Sequence, residues 1–529
     1  MNEKKKRRLR KFHFHPTTTF ILLTIFVVVL SWFLAKINVQ SSYSVVNPST
    51  LELETRIVKV NNLLSSDGVK LIFGNAATNM ASFSAFINLI VALIGLSVAH
   101  ASGFIKAFIR RNTLRLNNKV ITFIIILLGI FSSLVNDVGY VVLIPLSALI
   151  FVANKRSPLL GIATAFCGVS FGHSISLFAG SLDVSLVAQT ELASHLIDSS
   201  YHVPLLSNIF IMIASSIILA VVGTIAIETL VVKKIGKYRN AEELENTMEI
   251  SDLVSLDDKE KIEMEYSNKK GLRYAYIVGI VMLIVYAYMI IPGLPNSGLL
   301  LDMNEFAYVN QLFGANSYFQ SGFTYLVSIW FLAVGIAYAL GAKTLKNDKE
   351  LIEKISVFFK DIGGLIITVF FFVQFISVFK KTNIGVIISC WGADLINNLS
   401  FNGILLIILS LLVMSISGIF LTSAISKWTI FSPVVVPMMM QSNISPEFAQ
   451  FVLRAADSMT KGITPFLAYF IIYLGYLNIY NNNKEPITIG KAMSFVTPYF
   501  GFAIIAWFVI VVGWYLIGLP LGPVSMPTL

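Results

Sequence analysis

Residues Phe451 to Phe466, FVLRAADSMTKGITPF, set Arg454, Asp457 and Lys461 in an otherwise apolar stretch. Arg454 and Asp457 are three apart and share one face of a helix. A charged side chain at the centre of a bilayer costs about 2.5–3.5 kcal/mol on insertion scales, so two cost about 5–7 kcal/mol unless each finds a partner. The spacing therefore predicts pairing, either with one another as a structural bridge or with groups that serve a solute. A guanidinium fork matches a carboxylate bidentately, which makes Arg454 a candidate to hold an anionic substrate. Asp457 is a candidate to take a proton or answer a cation. Lys461 follows one turn on, either snorkelling toward water or reaching a solute.

A second polar interruption is GVSFGHSISLFAGSLD, residues 168–183. Its glycines and serines suit a tight backbone break. Ser174 and Ser176 offer oxygens to Na⁺ or to the local backbone, and Asp183 lies just beyond. The stretch LTSAISKWTIFSPVVVP, residues 421–437, places Trp428 beside Ser423, Ser426 and Lys427 and predicts a helix broken at Pro433. An indole there stacks a planar substrate or sits in an interfacial belt. Asn136, Asp137 and Asn383 interrupt other apolar runs, and Thr460 and Thr464 flank Lys461. All are candidates for an ion pathway coupled to H⁺ or Na⁺. No further cofactor is expected.

Elements of a particular kind must position these groups. Of 529 residues, 56% are hydrophobic and 13% charged, far from the roughly one-quarter charged of soluble domains. The chain is read as an all-α polytopic membrane protein, and no soluble enzyme domain is left over. The net charge of +10 is concentrated partly in KKKRRLRK, residues 4–11. That run precedes an apolar segment, so it marks a cytoplasmic N-terminus rather than nucleic-acid binding. Phe20 to Leu34 lacks a small-x-small cleavage site and reads as a retained signal anchor. Cys167 and Cys390 have no metal or disulfide spacing. No Walker A or H-E-x-x-H pattern occurs, and no nucleophile-elbow hydrolase is expected.

The chain divides into a basic N-terminus (1–16), a first membrane half (17–232), a charged cytoplasmic linker (233–272), a second membrane half (273–517) and a tail (518–529). Several apolar segments are too short to span about 30 Å. Unsatisfied backbone in lipid is costly, so such segments must be buried in protein. They predict re-entrant hairpins at about 157–189 and 445–478. The halves echo one another: Pro145 and Pro158 are separated as Pro433 and Pro446 are, and each later proline follows a serine. Serine followed by proline starts a helix, and paired starts suit the inverted repeats of secondary transporters.

SPEFAQFVLRAADSMTKGITPF is similar to the R-x-x-D-S-x-T-x-x-I-T-P signature of the AbgT family of p-aminobenzoyl-glutamate and antimetabolite transporters. Trp428, Pro446, Arg454, Asp457 and Pro465 fall at the family's spacing, Asp183 matches the aspartate after the first tip, and GLPLGP at 518–523 resembles the family's ending. The resemblance runs from about residue 17 to the end. It implies a homodimer in the cell membrane, each subunit having nine spanning helices and two re-entrant hairpins. It further implies H⁺- or Na⁺-coupled transport of p-aminobenzoyl-glutamate or export of sulfonamide-type antimetabolites. The substrate would carry a carboxylate and an aromatic ring. Ile425 replaces a serine often found in the family, and Ser176 stands where asparagine is expected. A general dicarboxylate or peptide-fragment transporter fits the same arginine. A membrane enzyme using Asp183 and Asp457 as a proton-sharing pair is a rival of another class.

Overall fold

The computed structural model describes residues 14–113, 116–134, 138–175, 177–236, 258–314, 316–360, 362–481 and 485–529. Asn136, Asp137, Ser176, Arg115 and most of the 233–272 linker lie outside these. Helices α1 (Pro16–Lys36), α2 (Ser66–Gly74), α3 (Ala76–Ala81), α4 (Ser84–Ala101), α5 (Phe104–Asn112), α6 (Asn118–Phe131), α7 (Val138–Ala153), α8 (Pro158–Phe171), α9 (Ser181–Ser194) and α10 (Ile209–Ile235) form the first half. The second contains α11 (Asp258–Ile290), α12 (Tyr308–Phe313), α13 (Tyr318–Ala342), α14 (Asp348–Lys360), α15 (Gly363–Lys381), α16 (Ile384–Leu399), α17 (Gly403–Phe420), α18 (Ala424–Gln441), α19 (Pro446–Thr460), α20 (Phe470–Ile479) and α21 (Ile489–Ile517). Strands β1 (Gln40–Val46) and β2 (Leu53–Lys59) pair antiparallel, with Tyr43 opposite Arg56. The hydropathy pattern does not predict this ribbon. Its alternation of small, aromatic and charged residues supplies no continuous apolar face.

Side-chain ties fix which ends share a face of the molecule. Arg156, just after α7, donates from Nη1 to the Asn118 carbonyl (3.3 Å) and from Nη2 to Glu228 near the end of α10 (2.7 Å). The start of α6, the end of α7 and the end of α10 therefore lie together, and Thr344, just after α13, donates from Oγ1 to the Ser102 carbonyl at the end of α4 (2.7 Å). The opposite face holds the start of α10, where Asn208 Nδ2 donates to the Glu447 carbonyl (3.0 Å) and the Phe210 amide donates to the Leu521 carbonyl (2.9 Å). About 28 Å of helix separates Ile209 from Glu228 along α10, at 1.5 Å per residue. The ribbon lies on this second face, where the Asn61 amide donates to the Thr382 carbonyl (3.2 Å).

The two faces correct the hairpin boundaries. The α6–α7 pair leaves the first face and returns to it, and α17–α18 does the same from the second face, where Ser442 Oγ donates to Asn402 Oδ1 (3.3 Å). The segments expected at 157–189 and 445–478 are instead interrupted crossings, α8–break–α9 and α19–break–α20. Among the described residues, eight helices are long and apolar enough to cross a membrane. Gly403–Phe420 is among them and is also the first arm of the α17–α18 pair. With the two interrupted helices, they make the mostly helical membrane architecture of the expected fold class. The unit from α4 to α10 repeats, inverted, from α15 to α21. Even the joints agree: Gly103 before α5 and Asn383 before α16 both take positive φ, 87° and 62°.

Proline chemistry differs in part from expectation. Ser445 caps α19, its Oγ accepting from the Phe448 amide (3.3 Å), and Pro446 occupies the first turn. Ser157 precedes Pro158 without a side-chain cap. The helix around Pro433 is not broken there. α18 runs through Pro433 and Pro437, and the interruption lies at Leu421–Ser423, where Ser423 caps the helix. Packing tolerates the two lost hydrogen bonds inside a protein interior. The charged linker also shortens, since helix is already present from Asp258 and continues into the span.

Close packing of α6 on α8 sets the first break in place. A Cβ on Gly168 would sit 2.9 Å from the Ile126 Cα, and one on Gly129 would sit 2.7 Å from the Gly168 carbonyl carbon. Small residues allow this approach. Gly168→Ala is expected to destabilise by about 1–3 kcal/mol through overpacking. Gly364→Ala, where the added Cβ meets nothing within 4 Å, is the neutral control. Thermal unfolding of the purified protein in detergent compares them, and equal midpoints would show that the α6–α8 contact yields freely.

Candidate functional site

The breaks and the hairpin tips converge on five buried charges. Arg454 and Asp457 project from α19 toward different partners, so neither neutralises the other. Arg454 donates from Nη2 to Asp183 Oδ1 (2.7 Å) and from Nη1 to the Ser174 carbonyl (3.0 Å). Asp183, in the first turn of α9, accepts from the Gly180 amide through Oδ2 (2.7 Å). Asp457 accepts from Ser174 Oγ (2.5 Å), from Lys427 of α18, and from Lys461 at 3.4 Å. Ser174 in the first break therefore touches both Arg454 and Asp457 of α19. All five charged side chains are buried.

Desolvation makes such an arrangement selective. Each ion loses hydration worth several kcal/mol, regained only if its partners are well placed. Arg454 and Asp183 form a one-to-one pair, whereas two ammonium groups face the single Asp457 carboxylate. The cluster thus carries a formal surplus of one positive charge. Lys461 does not snorkel to water. The two aspartates each hold cations of their own, which leaves them no shared proton of the catalytic-dyad kind.

Hydroxyls pin the tips to the breaks in matching ways. Ser133, in the turn after α6, donates to the Ile175 carbonyl (2.6 Å), and Thr464 in the second break donates to the Ile419 carbonyl (2.6 Å) near the end of α17. Thr460 Oγ1 donates to the Ser415 carbonyl (3.0 Å). Ser174, Thr460 and Thr464 are thus all committed as donors, with lone pairs left for a cation. Among the described residues no three His, Cys, Asp or Glu gather as a metal site.

Other expected residues sit apart. Trp428 is fully buried, and its Nε1 donates to Thr190 Oγ1 (2.9 Å), which donates to Gln450 Oε1 (2.7 Å). Its ring offers no open stacking face in this conformation. Ser423 and Ser426 are exposed at the start of α18 and bond each other at 3.1 Å. Asn383 donates to the Lys59 carbonyl (3.1 Å) and ties the ribbon to the α15–α16 joint, outside the charge cluster. Pro446 opens α19, and Pro465 follows the turn at Lys461–Ile463. Although no hydrolase is expected, Gly168–Gly172 does match the G-x-S-x-G of nucleophile elbows. Ser170, however, lies inside α8 with its hydroxyl buried and unpartnered, not on an exposed strand-to-helix turn.

Lys427, Thr190, Gln450 and Glu447 were not among the expected site residues. Glu447, Gln450, Arg454, Asp457 and Lys461 recur every three or four residues and form one buried polar stripe along α19. That periodicity was available in the sequence. Lys427 depends on a hole. A Cβ on Gly418 would lie 2.9 Å from Lys427 Nζ and 2.8 Å from Thr460 Oγ1. Both atoms end flexible groups, so Gly418→Ala is expected to push Lys427 off Asp457 with the fold kept. Losing one charge-assisted bond of about 1.5–3 kcal/mol predicts at least about a tenfold fall in transport. Uptake by vesicles containing the variant, at wild-type rate, would remove this pair from the mechanism.

The sequence as a whole matches the model of the AbgT putative transporter family over residues 11–529. The chain belongs to the AbgT family. It is 27% identical over 516 residues to the p-aminobenzoyl-glutamate transport protein of Escherichia coli strain K12, covering 97% of this chain and 94% of that protein. Two solved AbgT-type transporters are similar. The Alcanivorax borkumensis YdaH transporter is 27% identical with a TM-score of 0.47, covering 96% of this chain and 100% of that one. The Neisseria gonorrhoeae MtrF structure, described as illuminating a class of antimetabolite efflux pumps, is 29% identical with a TM-score of 0.47, covering 97% and 98%. AbgT membership makes the chain a multi-pass membrane transporter of a small molecule, and Arg454, Asp457 and Pro465 fall within the matched region.

Proposed function

We propose that this AbgT protein is a secondary active transporter of p-aminobenzoyl-glutamate or a related aromatic dicarboxylate, driven by H⁺ or Na⁺. The carrying observation is the buried five-charge cluster with its surplus positive charge, at the meeting point of two breaks and two hairpin tips. A carboxylate entering there neutralises the surplus, and either hairpin can move against the breaks to open one side of the molecule. The similarity to the Escherichia coli transport protein supports this choice of solute. The same site run outward would export sulfonamide-type antimetabolites. The protein sits in the cell membrane as a homodimer, its N-terminus cytoplasmic. Lys106, Arg110, Arg111, Arg156, Lys233 and Lys234 gather on the face assigned to the cytoplasm.

A second reading, a general dicarboxylate or peptide-fragment transporter, is favoured by one observation: the Trp428 ring is enclosed and its N–H is engaged. Uptake and efflux of labelled p-aminobenzoyl-glutamate in proteoliposomes, under H⁺ and Na⁺ gradients imposed separately, tests the leading reading. Accumulation under one gradient is expected. Succinate competing as well as p-aminobenzoyl-glutamate does would transfer support to the second reading.

A further inference from the structure

The β1–β2 ribbon covers a cavity of about 390 Å³, large enough for a drug-sized solute. Glu54 and Arg56 of β2 line it with the end of β1 and Pro48, Gln189 lines it from α9, and Thr429, Ser432 and Pro433 from α18. Arg56 is exposed and makes no ion pair among the described residues. Glu54 is occupied by Asn47, whose Nδ2 donates to it at 2.5 Å. Gln189 Oε1 is buried with no hydrogen-bond partner. The cavity thus presents a free guanidinium at its mouth, and in its wall stands Gln189, whose buried Oε1 has no partner.

Its floor adjoins the buried site. Gln189 and Thr429 neighbour Thr190 and Trp428, whose bond continues to Gln450, one turn before Arg454. The Trp428–Thr190–Gln450 chain of bonds leads from the residues beside the cavity toward the helix that carries the charge cluster. We propose that this cavity is an outer capture site for a carboxylate bearing an amide and an aromatic ring, held before it moves on to the charge cluster. Arg56 pairs with the carboxylate, and the Gln189 side chain turns its unpartnered Oε1 from the wall to accept from the amide N–H. The inference rests on the carboxylate-substrate reading and gives the ribbon a role in substrate capture. The guanidinium acts at the mouth, where attraction raises local solute concentration and falls with salt.

The test uses the full-length protein with Pro48→Cys at the cavity rim, since Cys167 and Cys390 are buried. p-Aminobenzoyl-glutamate is expected to slow labelling of the introduced thiol by a membrane-impermeant maleimide at least fivefold, and to do so equally when Arg454→Ala is also present. Arg56→Gln should abolish that protection, and Glu54→Gln should extend it to lower solute concentrations. Protection that disappears with Arg454→Ala, or persists with Arg56→Gln, overturns the capture site. Transport without protection defeats it while leaving the proposed function standing. Protection without transport leaves the capture site and defeats the proposed function, and the absence of both defeats the two together.

Discussion

Arg454→Ala is expected to abolish transport and to lower stability, and the two effects have different sources. The guanidinium divides its donors between Asp183 and the Ser174 carbonyl. Its loss strands the Asp183 carboxylate in a buried position, which costs about 3–5 kcal/mol. The Gly180 amide and the α9 N-terminus still stabilise that carboxylate, by up to about 2 kcal/mol for the dipole. A measurable fall in the thermal midpoint remains. Loss of a buried charge partner for the solute costs about 2–5 kcal/mol, roughly 30-fold to several thousand-fold in affinity. Arg454→Ala combined with Asp183→Asn removes both members of the pair and should regain much of the stability with no return of transport. Arg454→Lys keeps the charge but not a planar fork able to serve two acceptors, so it should transport poorly. Proteoliposome uptake and thermal unfolding measure the two effects separately. Wild-type uptake by Arg454→Ala would end the assignment.

The local parts of this fold were readable, and the long-range closures were not. Ser445 with Pro446 predicts the start of α19 because cap and proline act within one turn. Arg454 and Asp457 stand out because charge in an apolar run is expensive wherever it lies. Whether two half-helices return to one face or continue to the other is decided by contacts such as Arg156 with Glu228, 72 residues apart, and Asn208 with Glu447, 239 apart. Spacing along the chain carries no trace of these, so the apolar pattern places the hairpins one helix pair too late. Pro433 is a local signal overruled by packing. Lys427 resembles an interfacial lysine beside exposed Ser426, and only the space left by Gly418 shows it turned inward. The pairing of Arg454 with Asp183 likewise needed the two breaks brought together.

Lys461→Gln should leave the fold intact and lower affinity for a dianionic solute far more than for a monoanionic one. Asp457 would retain Lys427 and Ser174, so no buried carboxylate is stranded. The amide occupies nearly the same volume. What changes is the formal charge of the cluster, from a surplus of one to zero, close to Asp457. An interaction with a charged partner is worth about 1.5–3 kcal/mol, about 10- to 150-fold in KM. Lys427→Gln makes the comparison sharp. It removes the same unit of charge but also the closer partner of Asp457, leaving Lys461 at 3.4 Å, so stability should fall as well as affinity. Measuring KM for p-aminobenzoyl-glutamate and for p-aminobenzoate across wild type and both variants, beside their thermal midpoints, separates charge from architecture. Equal KM shifts for the two solutes in Lys461→Gln would show that its ammonium neutralises the protein and not the cargo.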